Sequence, residues 1–234
     1  MEKKDRNEKR IATGSFDQTH SEDVWSLFKI MGEFAEGYDK LFKIGPCISM
    51  FGSARTAADH DFYTLAQETA KKITREGFGI ITGGGPGIME AANKGAKEGK
   101  GKSVGLGITL PHEQGVNTFV DKHYVINFNY FFARKVMFVK YAQGFIVFPG
   151  GFGTLDEFFE ALTLIQTRKI EAFPVVLVGT EYWGGLVDWI RDTMVNNGTI
   201  SEDDVDLFQL TDSPDEVVEI ISDFYQRRTL KPNF

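Results

Sequence analysis

The nine-residue run PGGFGTLDE, Pro149 to Glu157, places a phosphate cradle next to carboxylates. It closes the apolar stretch Gly144-Phe145-Ile146-Val147-Phe148 and opens an amphipathic one, so a buried strand is expected to enter a glycine-rich turn and then a helix. The backbone N–H groups of Gly151, Phe152, Gly153 and Thr154 are predicted to point, unpaired, at a phosphate, with the positive end of the helix dipole behind them. Gly150, Gly151 and Gly153 let the backbone approach closely, and some of the glycines are expected at positive φ. Asp156 and Glu157 follow in the first helical turn. A carboxylate one turn from a bound phosphate suits chemistry on a phosphorylated sugar better than simple phosphate storage.

Other residues can serve the same edge. Gly52-Ser53-Ala54-Arg55 offers a hydroxyl and a guanidinium after one apolar run, and Gly83-Gly84-Gly85-Pro86-Gly87 follows another. Glu90, one turn further, reads either as a solvated helix residue or as a carboxylate that holds sugar hydroxyls. Arg134 and Lys135 stand in the apolar helical segment NYFFARKVMFVKYA, either as snorkelling surface residues or as pocket cations that neutralise phosphate or orient a carboxylate. The helix dipole alone accounts for Asp156 and Glu160 and weakens the case for Glu157.

Several chemistries are disfavoured. The second glycine loop breaks G-x-G-x-x-G because Ile88 stands where its third glycine belongs, and no G-x-x-x-x-G-K-[ST] run occurs. His20, His60, His112 and His123 are scattered without metal-ligand spacing, and there is no G-x-S-x-G elbow.

Elements must position these residues. Val24, Leu27, Phe28, Met31, Phe34, Ala35, Tyr38, Leu41 and Phe42 fall at helical spacing, a helix over 22–43 that either packs on its own domain or helps to build an oligomer. Strands are expected at Ile48–Phe51, Phe78–Thr82, Ser103–Ile108, His123–Ile126, Phe145–Phe148, Pro174–Val178 and Val205–Leu210. Helices are expected between them, the penultimate one running through Trp189 and Met194, and Ser213 and Pro214 open a final helix as N-cap and first residue. This alternation predicts an α/β fold, an open parallel sheet with helices on both faces plus the N-terminal amphipathic helix. Ligands in such sheets bind past the carboxyl ends of the strands, where the glycine loops fall.

Residues 1–21 are polar and expected to form a disordered tail, and 22–234 a single domain. The net charge of −7 argues against nucleic acid or anionic membrane as a partner. Cys47 is the one cysteine, inside an apolar run, and reads as a buried inert thiol. No stretch approaches the ~20 apolar residues of a membrane span, and no signal core follows the charged MEKKDRNEKR start, so the expectation is a cytoplasmic protein.

Pro149 to Glu157, with Arg134-Lys135 and TGGGPGIMEAANKGA upstream, resembles the LONELY GUY family of cytokinin riboside 5′-monophosphate phosphoribohydrolases, often labelled lysine decarboxylases. The likeness covers about Ile44 to Leu210 and looks like a longer bacterial branch, with Phe132-Ala133 where plant-like members carry His-Glu. The resemblance implies a Rossmann-like fold, a homo-oligomer built on a dimer, and hydrolysis of the N-glycosidic bond of a purine nucleoside 5′-monophosphate, AMP-like or cytokinin-like. No metal or organic cofactor is required. It implies Arg134 and Glu157 as the catalytic pair. Gly150, Gly151, Gly153 and Thr154 would hold the phosphate, and Ser53, Arg55, Gly85, Met89, Glu90, Lys135, Phe152 and Asp156 would line the substrate site. The rivals are a non-catalytic nucleotide-binding or carrier protein on the same fold, a pyridoxal phosphate-dependent decarboxylase, for which no lysine sits in a recognisable setting, and a scaffold built on the N-terminal helix.

Overall fold

The computed structural model describes residues 20–109, 115–226 and 228–234. The expected tail falls almost wholly outside them, as does His112.

The strands are β1 (Cys47–Phe51), β2 (Gly79–Thr82), β3 (Ser103–Ile108), β4 (Val125–Phe128), β5 (Ala142–Val147), β6 (Val175–Val178) and β7 (Gln209–Thr211). They form one seven-stranded sheet in the order β4-β3-β2-β1-β5-β6-β7, and every recorded pairing is parallel. The central strands β1, β2, β5 and β6 are buried throughout, because helices cover both faces, whereas the edge strands β4 and β7 carry exposed residues.

The helices are α1 (His20–Leu41), α2 (Asp61–Arg75), α3 (Ile88–Glu98), α4 (Phe131–Tyr141), α5 (Phe152–Gln166), α6 (Thr180–Trp189) and α7 (Pro214–Tyr225). One core layer joins α4, α5 and α6 to the sheet through Phe138, Phe145, Phe158 and Trp183. The other joins α2, α3 and α7 through Ala66, Ile73, Ile88 and Val217. The predicted N-cap of α7 is present, with the Ser213 hydroxyl accepting from the Glu216 N–H and Pro214 in the first turn. Among the described residues no helix is long and apolar enough to cross a membrane. Cys47 is fully buried, and burial pushes its thiol up to about 12, so it is inert as a nucleophile.

Some elements depart from expectation. Val205 to Leu207 belong to a 3-10 turn, Glu202–Leu207, and the last strand is confined to Gln209–Thr211. Ser201 explains this: it forms a reciprocal capping box with Asp204, and three carboxylates in the first turn favour a helical start. A 3-10 turn at Lys122–Tyr124 likewise delays β4 to Val125. Beyond Trp189, α6 widens into a π-helical stretch, Ile190–Val195.

The apolar stripe of α1 does not rest on its own domain along its length. Glu33, Gly37 and Leu41 are buried, while Val24, Trp25, Leu27, Phe28 and Met31 are exposed. Glu33 anchors the helix by a contact invisible to periodicity. Its carboxylate accepts from the Asn129 N–H at 2.7 Å, the Asn129 side-chain amide at 2.8 Å and the Tyr130 N–H at 3.2 Å. It thereby caps α4, whose own N-cap residue, Tyr130, supplies no side-chain bond.

Candidate active site

The strand order places the site. Connections run outward in one direction from β1 and in the other from β5, and these neighbours form the switch point of the sheet. Parallel sheets open a crevice at such a point, outside the carboxyl ends of the strands. The loops after β1, β2 and β5 are stitched together there. The Ser53 N–H donates to the Pro149 carbonyl at 2.9 Å, and the Ile88 N–H donates to the Ser53 carbonyl at 3.0 Å. Gly87 has φ of 67°, and a Cβ there would collide with the Ser53 carbonyl, so this junction admits glycine alone.

The crevice is a cleft of about 850 Å³. The first-loop residues Ser53 and Arg55, the second-loop residues Gly85 and Met89, and Arg134 from α4 all line it. So do Gly150, Gly151, Phe152, Gly153, Thr154, Asp156 and Glu157. His60, Phe62, Phe131 and Tyr182, which the sequence did not single out, line it too. Tyr182 comes from α6, and its hydroxyl donates to the Gly150 carbonyl at 2.8 Å, pinning the glycine turn. The signal for Tyr182 was its position just past β6, on the same edge of the sheet.

At the start of α5 the N–H groups of Gly151, Phe152 and Gly153 find no acceptor among the described residues. The Thr154 N–H is not open, contrary to expectation: it closes the first turn on the Gly151 carbonyl at 3.0 Å, as does that of Leu155 at 3.1 Å. Nor do the glycines of this loop adopt positive φ. That conformation falls in the second loop, at Gly84 and Gly87. Gly151 has φ of −87°, and space around Gly151 and Gly153 is open where a Cβ would stand. Their lack of a side chain leaves room for a ligand rather than permitting a turn.

Glu157 projects from the same helix one turn later and is 7% exposed. Its Oε2 has no hydrogen-bond partner among the described residues. Burial drives its carboxyl up to about 7, Lys135 and Arg134 pull it down, and Glu160 and Asp156 push it further up. Arg134 is held in place by its Nε–H, which donates to the Leu106 carbonyl at 2.8 Å, and by the Phe138 ring 5.1 Å from its guanidinium carbon. A Cβ on Gly83 would collide with that guanidinium, so the second loop also accommodates Arg134.

Two residues expected in the site do not line the cleft. Lys135 is ion-paired to Asp156 at 2.8 Å and to Glu160 at 3.2 Å. Burial alone would lower its pKa, but the bond to Asp156 and the charges of Glu157 and Glu160 outweigh this and raise it. Glu90 accepts from the Tyr63 hydroxyl at 3.1 Å, against α2. Helix geometry explains both positions. Successive residues differ by about 100° around the axis, so Met89 and Arg134 face the cleft while their successors turn away.

The second loop rests on a buried polar network that the sequence reading missed. Asn93 accepts from the Thr82 hydroxyl at 2.6 Å and from the Asn117 amide at 2.9 Å, and Asn117 also donates to the carbonyls of Gly84 and Gly85. No group of three or more metal-ligating side chains occurs among the described residues.

The family described as "Possible lysine decarboxylase" matches residues 89–221. The chain is 30% identical over 149 residues to the pyrimidine/purine nucleotide 5′-monophosphate nucleosidase of Escherichia coli, a match covering 58% of this chain and 32% of that protein, so it spans about a third of that relative's length. It is 28% identical over 184 residues to a cytokinin riboside 5′-monophosphate phosphoribohydrolase of Arabidopsis thaliana, covering 77% of this chain and 84% of that one. Among solved structures it is similar to the molybdenum cofactor binding protein of Rippkaea orientalis, with 25% identity and a TM-score of 0.53 over 76% of this chain and 95% of that one.

Proposed function

The chain belongs to the family described as possible lysine decarboxylase, and from that membership and the geometry of its cleft we propose that it is a nucleoside 5′-monophosphate phosphoribohydrolase. It would hydrolyse a purine nucleotide to free base and ribose 5-phosphate. The observation that carries the proposal is Glu157: a buried carboxylate with an unpartnered oxygen, in the same cleft as the open N–H groups of the helix on which it sits.

The 5′-phosphate would accept hydrogen bonds from Gly151, Phe152 and Gly153, with the α5 dipole behind them. At ~1.5 Å of rise per residue, Glu157 lies roughly 7.5 Å along the axis from Phe152, about the span of a ribose from its phosphate. Remote binding energy at the phosphate would thus orient C1′ beside the carboxylate. Water oxygen attacks C1′, the C1′–N bond breaks with its electron pair leaving on the base nitrogen, which takes up a proton from solvent as Glu157 returns its own, and the ring passes through an oxocarbenium-like state. Ionised Glu157 stabilises that positive charge and takes a proton from the attacking water. Arg134 contributes positive charge that keeps Glu157 available in its ionised form.

The decarboxylase label in the family description does not suit the cleft. That chemistry requires a lysine to hold pyridoxal phosphate as a Schiff base, and no described lysine lines the cleft. The carrier alternative draws on the molybdenum cofactor binding protein, which is similar over most of this chain, but gives the buried Glu157 no task. Incubation with a panel of nucleoside monophosphates, followed by chromatography of the free bases, tests the proposal. Release of a purine supports it, and tight nucleotide binding without base release supports the carrier.

A further inference from the structure

α4 carries both cations that act on Glu157, yet its own sequence closes neither of its ends. A helix leaves its first N–H groups and last carbonyls without partners inside it, and one of eleven residues is marginal by itself. Tyr130 gives the start no side-chain bond, and Ala142, with ψ of 142°, turns the chain straight into β5 without a glycine cap. Both ends are closed from distant segments. Glu33 of α1 takes the Asn129 and Tyr130 N–H groups that lead into the helix. Asn233 closes the other end. Its backbone N–H donates to the Lys140 carbonyl at 3.0 Å, and its side-chain amide donates to the carbonyls of Val139 at 2.5 Å and Ala142 at 2.8 Å. Ala142 is the first residue of β5, the strand that leads to the phosphate loop, so one amide joins helix to strand. Gln143, next along β5, donates from its side chain to the Lys231 carbonyl at 2.7 Å. Lys140 links the two capping segments. Its ammonium donates to the Phe234 carbonyl and lies 4.8 Å from the Phe234 ring and 5.4 Å from the Tyr38 ring of α1. The family match, residues 89–221, contains all of α4 but neither Glu33 nor Asn233.

We propose that Asn233 and Glu33 are positioning residues for the cleft: by closing α4 at opposite ends they hold Arg134 in the cleft with Glu157, and Lys135 on Asp156 and Glu160. The chemistry of Asn233 suits the task. A side-chain amide offers two N–H donors from one nitrogen, one for each carbonyl it meets, and a carboxylate there would be repelled by both and by the negative end of the helix. The reach to the cations is short. In an α-helix residue 139 bonds back to residue 135, so fraying of the last turn passes directly to Lys135. The charges that face Glu157 are Lys135 and Arg134 from α4, which pull its carboxyl down, and Glu160 and Asp156 from its own helix, which push it up. A loosened α4 weakens the downward pull and leaves Asp156 and Glu160 less neutralised, so both effects act in one direction.

The test is Asn233→Ala in the full chain, with Lys231→Ala as a control in the same segment, since the Lys231 ammonium pairs with Glu171 on the surface and its loss leaves the bonds of Asn233 in place. Glu33→Gln, which keeps one accepting oxygen, probes the other end. Circular dichroism and melting curves check that each variant folds. The first readout needs no substrate: the titration of the Glu157 carboxyl by carbon NMR on glutamate-labelled protein, assigned by its absence from Glu157→Gln. Asn233→Ala is expected to raise the midpoint by roughly half a pH unit or more, a part of what neighbouring opposite charges contribute. Glu33→Gln is expected to shift it the same way, and Lys231→Ala to leave it in place. An unmoved midpoint overturns the role of the residue changed, and a Lys231→Ala shift as large as that of Asn233→Ala overturns the assignment to Asn233. The second readout rests on the nucleotide reading of the cleft. In Asn233→Ala, kcat for adenine release from AMP is expected to fall several-fold at neutral pH while KM changes by no more than about twofold, because the phosphate seat lies on α5. A raised KM with unchanged kcat overturns the link to Glu157. Failure of the nucleotide reading is distinguishable, since the wild type would then release no base while the NMR midpoints still decided the positioning role.

Discussion

Lys135 and Asp156 form a 2.8 Å ion pair that ties α4 to the first turn of α5. Because Glu160 takes the same ammonium at 3.2 Å, one lysine neutralises the carboxylates on either side of Glu157 in sequence while Glu157 itself keeps a buried oxygen without a partner. Lys135 itself does not line the cleft, although Asp156 does, and the effect of this clamp on Glu157 is electrostatic.

That arrangement sets the pH dependence. With the Glu157 carboxyl at about 7, activity that needs its ionised form is expected to rise through neutral pH. Lys135 lowers that value, so Lys135→Met is expected to move the rising limb of kcat/KM to higher pH, and Lys135→Arg to restore most of it. A limb in Lys135→Met that stays at the wild-type position would remove the clamp from the account.

The same burial carries a stability cost that can be measured. Glu157 is raised from 4.5 in the unfolded chain to about 7 in the fold. The fold therefore binds this proton more tightly, and the stability this gives is fully present below pH 4.5 and lost as pH rises through 7. A shift of that size corresponds to about 3 kcal/mol. Glu157→Gln escapes the loss, so its stability relative to wild type is expected to grow between pH 4.5 and 7 and to level off above 8. Denaturant titrations across this range check it, and a pH-independent difference would mean that Glu157 is not buried as an acid.

Gly153→Ala separates folding from phosphate binding. Nothing lies within 4 Å of a Cβ at Gly153, and it sits inside the first turn of α5. Alanine is expected to leave the fold intact or stabilise it by about 0.5–1 kcal/mol. A methyl group in the phosphate seat is expected to raise KM for AMP by about tenfold, the scale of one charge-assisted hydrogen bond. An unchanged KM would place the phosphate elsewhere in the cleft.

Glu90→Gln is expected to change KM by no more than about twofold, as for a substitution away from the ligand. Its carboxylate meets Tyr63 rather than the cleft. A large rise in KM would mean that Glu90 swings toward the sugar when nucleotide binds.

Much of this was legible in the sequence because strand and loop chemistry are local. Buried strands read as apolar runs, and the glycine loops that end them fall at the switch point because parallel topology puts every such loop on one edge. What the sequence withheld depends on facing and on distant partners. Arg134 and Lys135 are adjacent, and only the fold shows that Arg134 turns to the cleft while Lys135 turns to Asp156. The Thr154 N–H was expected to be open, but α5 starts early enough for Gly151 to accept it. The apolar stripe of α1 announced a buried face without saying what buries it, and Glu33, which holds that helix, bonds residues almost a hundred positions away. Its neighbours in sequence carry no hint of that bond.

The most direct test of the central claim compares wild type with Glu157→Gln for AMP affinity by calorimetry and for adenine release by chromatography. The account predicts comparable affinity and a loss of turnover of on the order of a hundredfold or more, the scale of a lost transition-state contact. Wild-type turnover in Glu157→Gln, or AMP bound by the wild type with no adenine released, would contradict it.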